Sequence, residues 1–231
     1  LILYTEMGFG DNLFFLRFFP LLRPYFSEII CVVRPSLERL FRDTCFFDRV
    51  SVSVDLRDFD SKKTFVLSML SICDALALDE GPFNQQSYLQ VDDVSQAFWR
   101  EQLISHRSKP IVALNWSGEQ SAECPRSTVR ARSMSISELE QISSLRECCL
   151  ISIQQGEHRW DLHHSDLASL LHPDQAKFDE INPDFKDTAS LLNCCDLLIT
   201  VDTSVAHLGG ALGFPTWVLL KRYSSWQWGE S

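Results

Sequence analysis

The stretch that most constrains the fold is DLLITVDTSVAHLGGALGFPTWVLL, Asp196 to Leu220 of a 231-residue chain. The uninterrupted apolar run Leu197 to Val201 reads as a strand buried in a parallel sheet. Asp202-Thr203-Ser204 then turns into a short helix of small residues, Val205 to Leu212. Gly213-Phe214-Pro215 stops that helix, and Thr216 to Leu220 forms a second strand. A parallel strand that hands over to a helix N-terminus is where α/β proteins hold anionic ligands, because backbone N–H groups and the helix dipole both point there.

The same strand-loop-helix order recurs along the chain. In the first half, strands are expected at Leu1 to Tyr4, Glu28 to Val33 and Arg49 to Val54. Helices are expected after Asn12, after Pro35 (with Leu37, Leu40 and Phe41 on one face), from Thr64 to Leu78 and from Asp92 to Arg107. Ser108-Lys109-Pro110 breaks the pattern. The second half restarts with strands Ile111 to Asn115 and Cys149 to Ile153 and helices Ser135 to Leu145 and Ala189 to Cys195. Repeated units of this kind imply parallel sheets joined by right-handed crossovers, an α/β fold. The expected domains are 1–107 and 108–231, with a cleft between their sheets.

Composition narrows the function. A net charge of −10 leaves no excess of Lys and Arg for a general nucleic-acid binder. It still permits a phosphorylated small molecule held by a local positive field. No apolar run approaches the ~20 residues of a membrane span. The eight cysteines include the adjacent pairs Cys148/Cys149 and Cys194/Cys195 but no CxxC spacing, so they read as reduced core residues. The chain opens without Met, inside a strand, and so reads as part of a longer protein.

Loops at strand ends carry the candidate chemistry. Glu6-Met7-Gly8-Phe9-Gly10-Asp11-Asn12 is a glycine loop in which Gly8 and Gly10 allow tight turning and close ligand approach, while Asp11 or Asn12 caps the next helix. Leu13 stands where a dinucleotide fingerprint needs its third glycine, so NAD binding is not expected. In the second half, Trp116-Ser117-Gly118, Gln154-Gln155-Gly156 and Asp202-Thr203-Ser204 are expected to converge on one pocket. Arg130 and Arg132, in the polar segment Glu119 to Arg132, would add charge-assisted bonds to a diphosphate there. His207, one helical turn after Thr203, is expected to be a neutral hydrogen-bond partner because the helix dipole disfavours its cation. Asp11, the carboxylate in the first half's glycine loop, is the candidate base. Asp202 or Thr203 as a mere helix cap, and Asp11 likewise, are the plainer alternatives. Asp58-Phe59-Asp60 reads as a solvated loop, and His158, His163, His164 and His172 as surface residues without metal-ligand spacing. Trp226 and Trp228 read as covering a ligand or packing between domains.

Taken together, DFKDTASLLNCCDLLITVDTSVAHLGGALGFPTWVLL, GFGDNLFFLRFFPLL, NWSG (Asn115 to Gly118) and RARSMS (Arg130 to Ser135) resemble glycosyltransferase family 9, which includes the ADP-heptose lipopolysaccharide heptosyltransferases. The likeness is nearest to bacterial relatives that follow tetratricopeptide repeats. It implies a GT-B fold: two Rossmann-like domains, an acceptor-side domain at 1–107 and a nucleotide-sugar donor domain at 108–231, the latter truncated before its usual final helix. It further implies inverting transfer from a nucleotide-diphosphate sugar without a metal or other cofactor, to an unknown glycan or protein acceptor. Asp11 matches the proposed base of that family, and Asp202, Thr203 and His207 match donor contacts, with Ser204 in place of a small residue. The family's donor-site lysine and glutamate have no clear match; Arg130 or Arg132 and Gln155 stand nearby. A cytoplasmic location follows, with peripheral attachment at the inner membrane face as a variant. The rival expectations are a GT-B-like binding module without catalysis and a sugar-nucleotide epimerase.

Overall fold

The computed structural model describes residues 1–78, 86–103, 108–118, 132–180, 184–222 and 226–229. Two parallel four-stranded sheets organise them. The first holds β1 (Ile2–Tyr4), β2 (Ile30–Val32), β3 (Arg49–Ser51) and β4 (Val66–Ser68) in the order β3-β2-β1-β4. The second holds β5 (Ile111–Asn115), β6 (Cys149–Ser152), β7 (Leu197–Val201) and β8 (Thr216–Leu219) in the order β6-β5-β7-β8. Ile2 pairs with both Ile30 and Val66, and Asn115 with Thr200.

Each sheet therefore grows outward on one side of its first strand and then returns to the other side. The chain reverses direction across the sheet between β1 and β4 and again between β5 and β7. At such switch points the loops leaving neighbouring strands part and open a crevice, the usual ligand site of open α/β sheets.

Five helices carry the rest of the argument: α1 (Phe9–Phe15), α2 (Pro35–Arg42), α3 (Asp93–Leu103), α4 (Phe185–Leu192) and α5 (Ser204–Ala211). Pro35 suits the first turn of α2 because its missing N–H would have no helical partner there, and Leu37, Leu40 and Phe41 are all buried. Strand β5 is buried on both faces: Ala113 joins a core shared with Leu13 and Leu208, while Val112 and Leu114 join a second core with Trp116 and Ile199. The first of these cores contains residues of both sheets and so binds the two halves together.

Three expectations change. Thr64 to Leu78 is not one helix: Val66–Ser68 is the edge strand β4, and helical turns begin at Met69. The vacant side of β1 offers backbone partners, so Ile2 N–H donates to Phe65 C=O at 2.8 Å, and this pairing overrides the helical period. The Ser68 hydroxyl then accepts from Leu70 N–H at 3.2 Å and starts the turns that follow. The helix expected at Ser135 to Leu145 is shorter, Ile136–Leu139, because the backbone leaves helical geometry at Ile142 (ψ 88°) before Leu145 enters the second core. The helix expected at Ala189 begins earlier, at Phe185, because the Asp184 carboxylate caps it, accepting from Lys186 and Asp187 N–H at 2.9 and 3.0 Å.

Two surface assignments also change. His172 is 1% exposed rather than a surface residue. Its Nδ1 accepts from Asp174 N–H at 3.2 Å, and its ring lies 5.3 Å from that of Phe178. Cys45 is exposed, whereas Cys31, Cys149, Cys194 and Cys195 are buried.

Candidate functional site

At the β5/β7 switch point the strand ends are knitted by a buried polar network. Asn115 Oδ1 accepts from the hydroxyls of Thr203 at 2.9 Å and Thr200 at 3.1 Å. Asn115 Nδ2 donates to Gln154 Oε1 at 3.0 Å, and that oxygen also accepts from the N–H groups of Trp116 and Ser117 at 3.1 and 2.9 Å. Gln154 Nε2 donates back to the carbonyls of Ser117 and Gln155 at 2.9 and 2.8 Å. Buried polar groups stay ordered only when satisfied in this way, so the network fixes the loops after β5, β6 and β7 relative to one another.

Thr203 is the N-cap of α5, yet its side chain makes no capping bond because its hydroxyl is spent on Asn115. Thr203 thus holds the cap position that the plain reading gave it, while its hydroxyl serves the Asn115 network and not the helix N-terminus. Near this helix end, Ser133 Oγ lies 2.9 Å from Ser117 Oγ, and Met134 N–H donates to Trp116 C=O at 2.8 Å. These two contacts return the chain to the end of β5 and bring Arg132 Nη1 to 4.0 Å from Asp202 Oδ1. A basic side chain, a carboxylate and a helix N-terminus thus meet at one strand end.

At the β1/β4 switch point the Ser68 hydroxyl donates to Glu6 Oε1. Asn12, fully buried, donates to the carbonyls of Glu6 and Gly8 at 3.0 and 2.8 Å and pins the glycine loop from within. Neither Asp11 nor Asn12 is the cap residue: Gly8 is, with φ −71° and ψ 156°. Asp11 sits in the first turn of α1 and reaches back, so that its Oδ2 accepts from Gly8 N–H at 3.2 Å. Its other oxygen, Oδ1, accepts from Gln227 Nε2 at 3.2 Å.

The two switch points meet through α1 and α5. A Cβ on Gly10 would stand 2.8 Å from His207 Cδ2 and 3.4 Å from Ser204 Cα, so glycine is needed here for helix-to-helix approach. A Cβ on Gly209 would stand 2.4 Å from Thr216 Oγ1, which is how α5 lies close on β8; Gly210 faces open space. His207 is 8% exposed. Its ring lies edge-on to Phe14 at 5.8 Å and stacks on Trp228 at 4.7 Å with an interplanar angle of 21°. Burial pushes the His207 imidazole down to about 4, with Arg17 and Arg132 adding to the effect and the carboxylates of Asp202 and Asp11 opposing it. The ring is neutral, as the helix-dipole argument expected, but loss of water is the dominant cause.

The other expected residues are placed as follows. Ser117 is buried beside Ser133, and Gly118 N–H donates to Ser133 Oγ at 3.4 Å. The Trp116 ring is buried in the second core, so only its backbone reaches the loop. Gln155 and Gly156 follow β6, half-buried and exposed respectively, and it is Gln154 that turns inward. Ser204 opens α5. Arg130 lies outside the described residues, as does the side chain of Trp226. Asp58 and Asp60 are exposed, in keeping with a solvated loop. Among the described residues no group of three or more His, Cys, Asp or Glu is set to hold a metal ion. No described helix is long and apolar enough to cross a membrane.

Sequence reading passed over Asn115, Thr200 and Gln227 as site residues, and it named Gln154 only as part of the loop after β6. Asn115 and Thr200 carried one usable signal, being polar side chains inside otherwise apolar strands, which must find partners. Gln227 carried none.

No family model matches the chain, and no curated protein matches it significantly in sequence. Solved structures do match. The E. coli ADP-heptose lipopolysaccharide heptosyltransferase II superposes with a TM-score of 0.62 at 11% identity, over 94% of this chain and 83% of that one. A glycosyl transferase family 9 protein from Veillonella parvula gives 0.63 at 14% identity, over 96% and 82%. The E. coli heptosyltransferase WaaC with ADP-2-deoxy-2-fluoro heptose gives 0.56 at 12% identity, over 97% and 90%. The chain is similar to these glycosyltransferases along nearly its whole length and shares their fold.

Proposed function

We propose that the chain is an inverting, metal-independent glycosyltransferase of family 9 with GT-B architecture, the acceptor-side domain at 1–107 and the donor domain at 108–231. Its donor is a nucleotide-diphosphate sugar; WaaC, solved with ADP-2-deoxy-2-fluoro heptose and with ADP, makes an ADP-sugar the first candidate. The observation that carries this reading is the apposition of the Asp11 loop and the Asp202–Ser204 turn, with Gly10 seated against His207.

In this reading Asp11 takes the proton of an acceptor hydroxyl, and the oxygen attacks the anomeric carbon from the face opposite the diphosphate. The bond from that carbon to the diphosphate oxygen breaks as the new bond forms, which inverts the centre. Arg132 and the N-terminus of α5 stabilise the departing diphosphate. Gln155 stands in the loop where the resemblance places a glutamate, so heptose is not assigned as the sugar. The enzyme acts on the cytoplasmic side, with tetratricopeptide repeats preceding it in the full-length protein.

A second reading, a binding module without turnover, is favoured by one observation: both Asp11 oxygens already accept hydrogen bonds and Trp228 covers His207. The test is titration with ADP, UDP and GDP, followed by a nucleotide-sugar turnover screen. Binding that Asp202→Ala and Arg132→Ala both weaken, with turnover, supports the transferase. Binding without turnover that Asp11→Asn leaves untouched supports the module.

A further inference from the structure

Residues 226–229, which come after β8 in the sequence, touch the first half through Gln227. Trp226–Trp228 form a single helical turn, and Gln227 reaches Asp11 over 216 residues of sequence. An aspartate in the first turn of a helix folds back on its own N-terminal amide, as Asp11 Oδ2 does on Gly8. That bond alone leaves the carboxylate plane free to rock, because its terminal torsion is broad and roughly two-fold. A second bond to the other oxygen, from a different part of the chain, removes that freedom. The donor is itself anchored: its neighbour Trp228 stacks on the buried His207 ring, which is packed in turn against Gly10 and Phe14.

We propose that Gln227 is a positioning residue for Asp11, held in place by Trp228, and that this strap sets the orientation in which the Asp11 carboxylate meets the acceptor hydroxyl. The inference rests on the reading of Asp11 as the base. It assigns the segment 226–229 a part in the reaction, acting through Asp11 and not on the sugar donor.

The test measures kcat and donor KM for the full chain with the nucleotide-diphosphate sugar it turns over, in wild type, Gln227→Leu, Gln227→Glu, Trp228→Phe, Trp228→Ala and Asp11→Asn. Gln227→Leu removes the donated bond and is expected to lower kcat about tenfold with donor KM unchanged, since misaligned reacting groups cost up to about 100-fold. Gln227→Glu, closest in shape, turns attraction into repulsion and is expected to be the worse of the two. A packing role would rank them the other way. Trp228→Ala, which removes the stack on His207, behaves like Gln227→Leu, and Trp228→Phe, which keeps a ring there, loses less.

A Glu variant as active as wild type, an effect confined to KM, or faster turnover in Gln227→Leu would overturn the inference; the last would make the strap a plug. Loss of activity in Asp11→Asn with wild-type kcat in both Gln227 variants removes the inference and leaves the base assignment standing. Full activity in Asp11→Asn, or a wild-type chain that turns over no donor in the screen, removes both.

Discussion

The halves of the molecule meet at two junctions built on opposite principles. Where α1 meets α5 the contact is small and aromatic: Gly10, Phe14, His207 and Trp228 pack together, with Phe14 and His207 buried. Where α2 meets α4 it is ionic and reciprocal. Arg39 of the first half donates to Asp184 and Asp187 of the second at 3.0 and 2.9 Å, and Lys186 of the second reaches Asp43 and Asp92 of the first at 2.6 Å each. The Phe9 and Phe185 rings, 5.1 Å apart, bridge the two. Close packing tolerates no added atom, whereas part-exposed ion pairs between long side chains tolerate rearrangement. The apolar junction therefore fixes the distance between Asp11 and the Asp202–Ser204 turn, and the ionic one sets how α2 and α4 face each other.

The comparison breaks first at Gly10. Gly10→Ala forces a methyl into His207 and against the α5 backbone and should cost about 1–3 kcal/mol in urea unfolding, the range for overpacking. His207→Ala in the same chain should recover part of that loss. A neutral Gly10→Ala would mean that the junction is open in solution.

Next is acid. His207 titrates near 4 when folded, against about 6.5 when unfolded, so the unfolded chain binds its proton first. Stability from this group is complete above about pH 6.5 and is lost as pH falls toward 4. Between pH 7 and pH 5 the loss should be roughly 2 kcal/mol. His207→Gln should abolish that part of the pH dependence, measured by urea unfolding at both pH values; an unchanged slope would contradict the buried neutral ring.

The ionic junction should yield less. Lys186 has a side chain only 15% exposed, and Lys186→Met strands two carboxylates, at a cost of about 1 kcal/mol. Burial works against its cation, but the bonds to Asp43 and Asp92 outweigh that and raise its pKa. Asp92 is held below the usual carboxylate range by Lys186 and by Ser95 N–H. The Asp92 contribution is present above about pH 3.9 and fades as pH falls, while that of Lys186 fades as pH rises past about 10.4. Arg39→Ala, half-exposed at 53%, should cost under about 0.5 kcal/mol and less still in high salt.

What the sequence made legible was local. The strand, turn and small-residue helix from Leu197 to Ala211 sit in one short stretch, so hydrophobic runs and Gly/Ala content suffice to read them. The glycine loop at Gly8 to Asp11 was visible for the same reason. The purpose of Gly10 was not, because it depends on a histidine in the other half. Nor could the sequence separate Gln154 from Gln155: every residue of β6 is buried, so no alternation says which adjacent glutamine turns inward. Strand β4 was misread because FVLSML carries an apolar run that suits either period. The run DFKDT was part of the family likeness without a role; its charges prove to face Arg39, Asp43 and Asp92 across the ionic junction.

The central claim is that the apolar junction delivers a base to a donor held on the opposite half. The most direct measurement pairs nucleotide-diphosphate binding with sugar turnover in wild type and Asp11→Asn. The account predicts unchanged binding and turnover reduced about 100-fold or more, the usual weight of a general base. Unchanged turnover in Asp11→Asn, with binding intact, would contradict it.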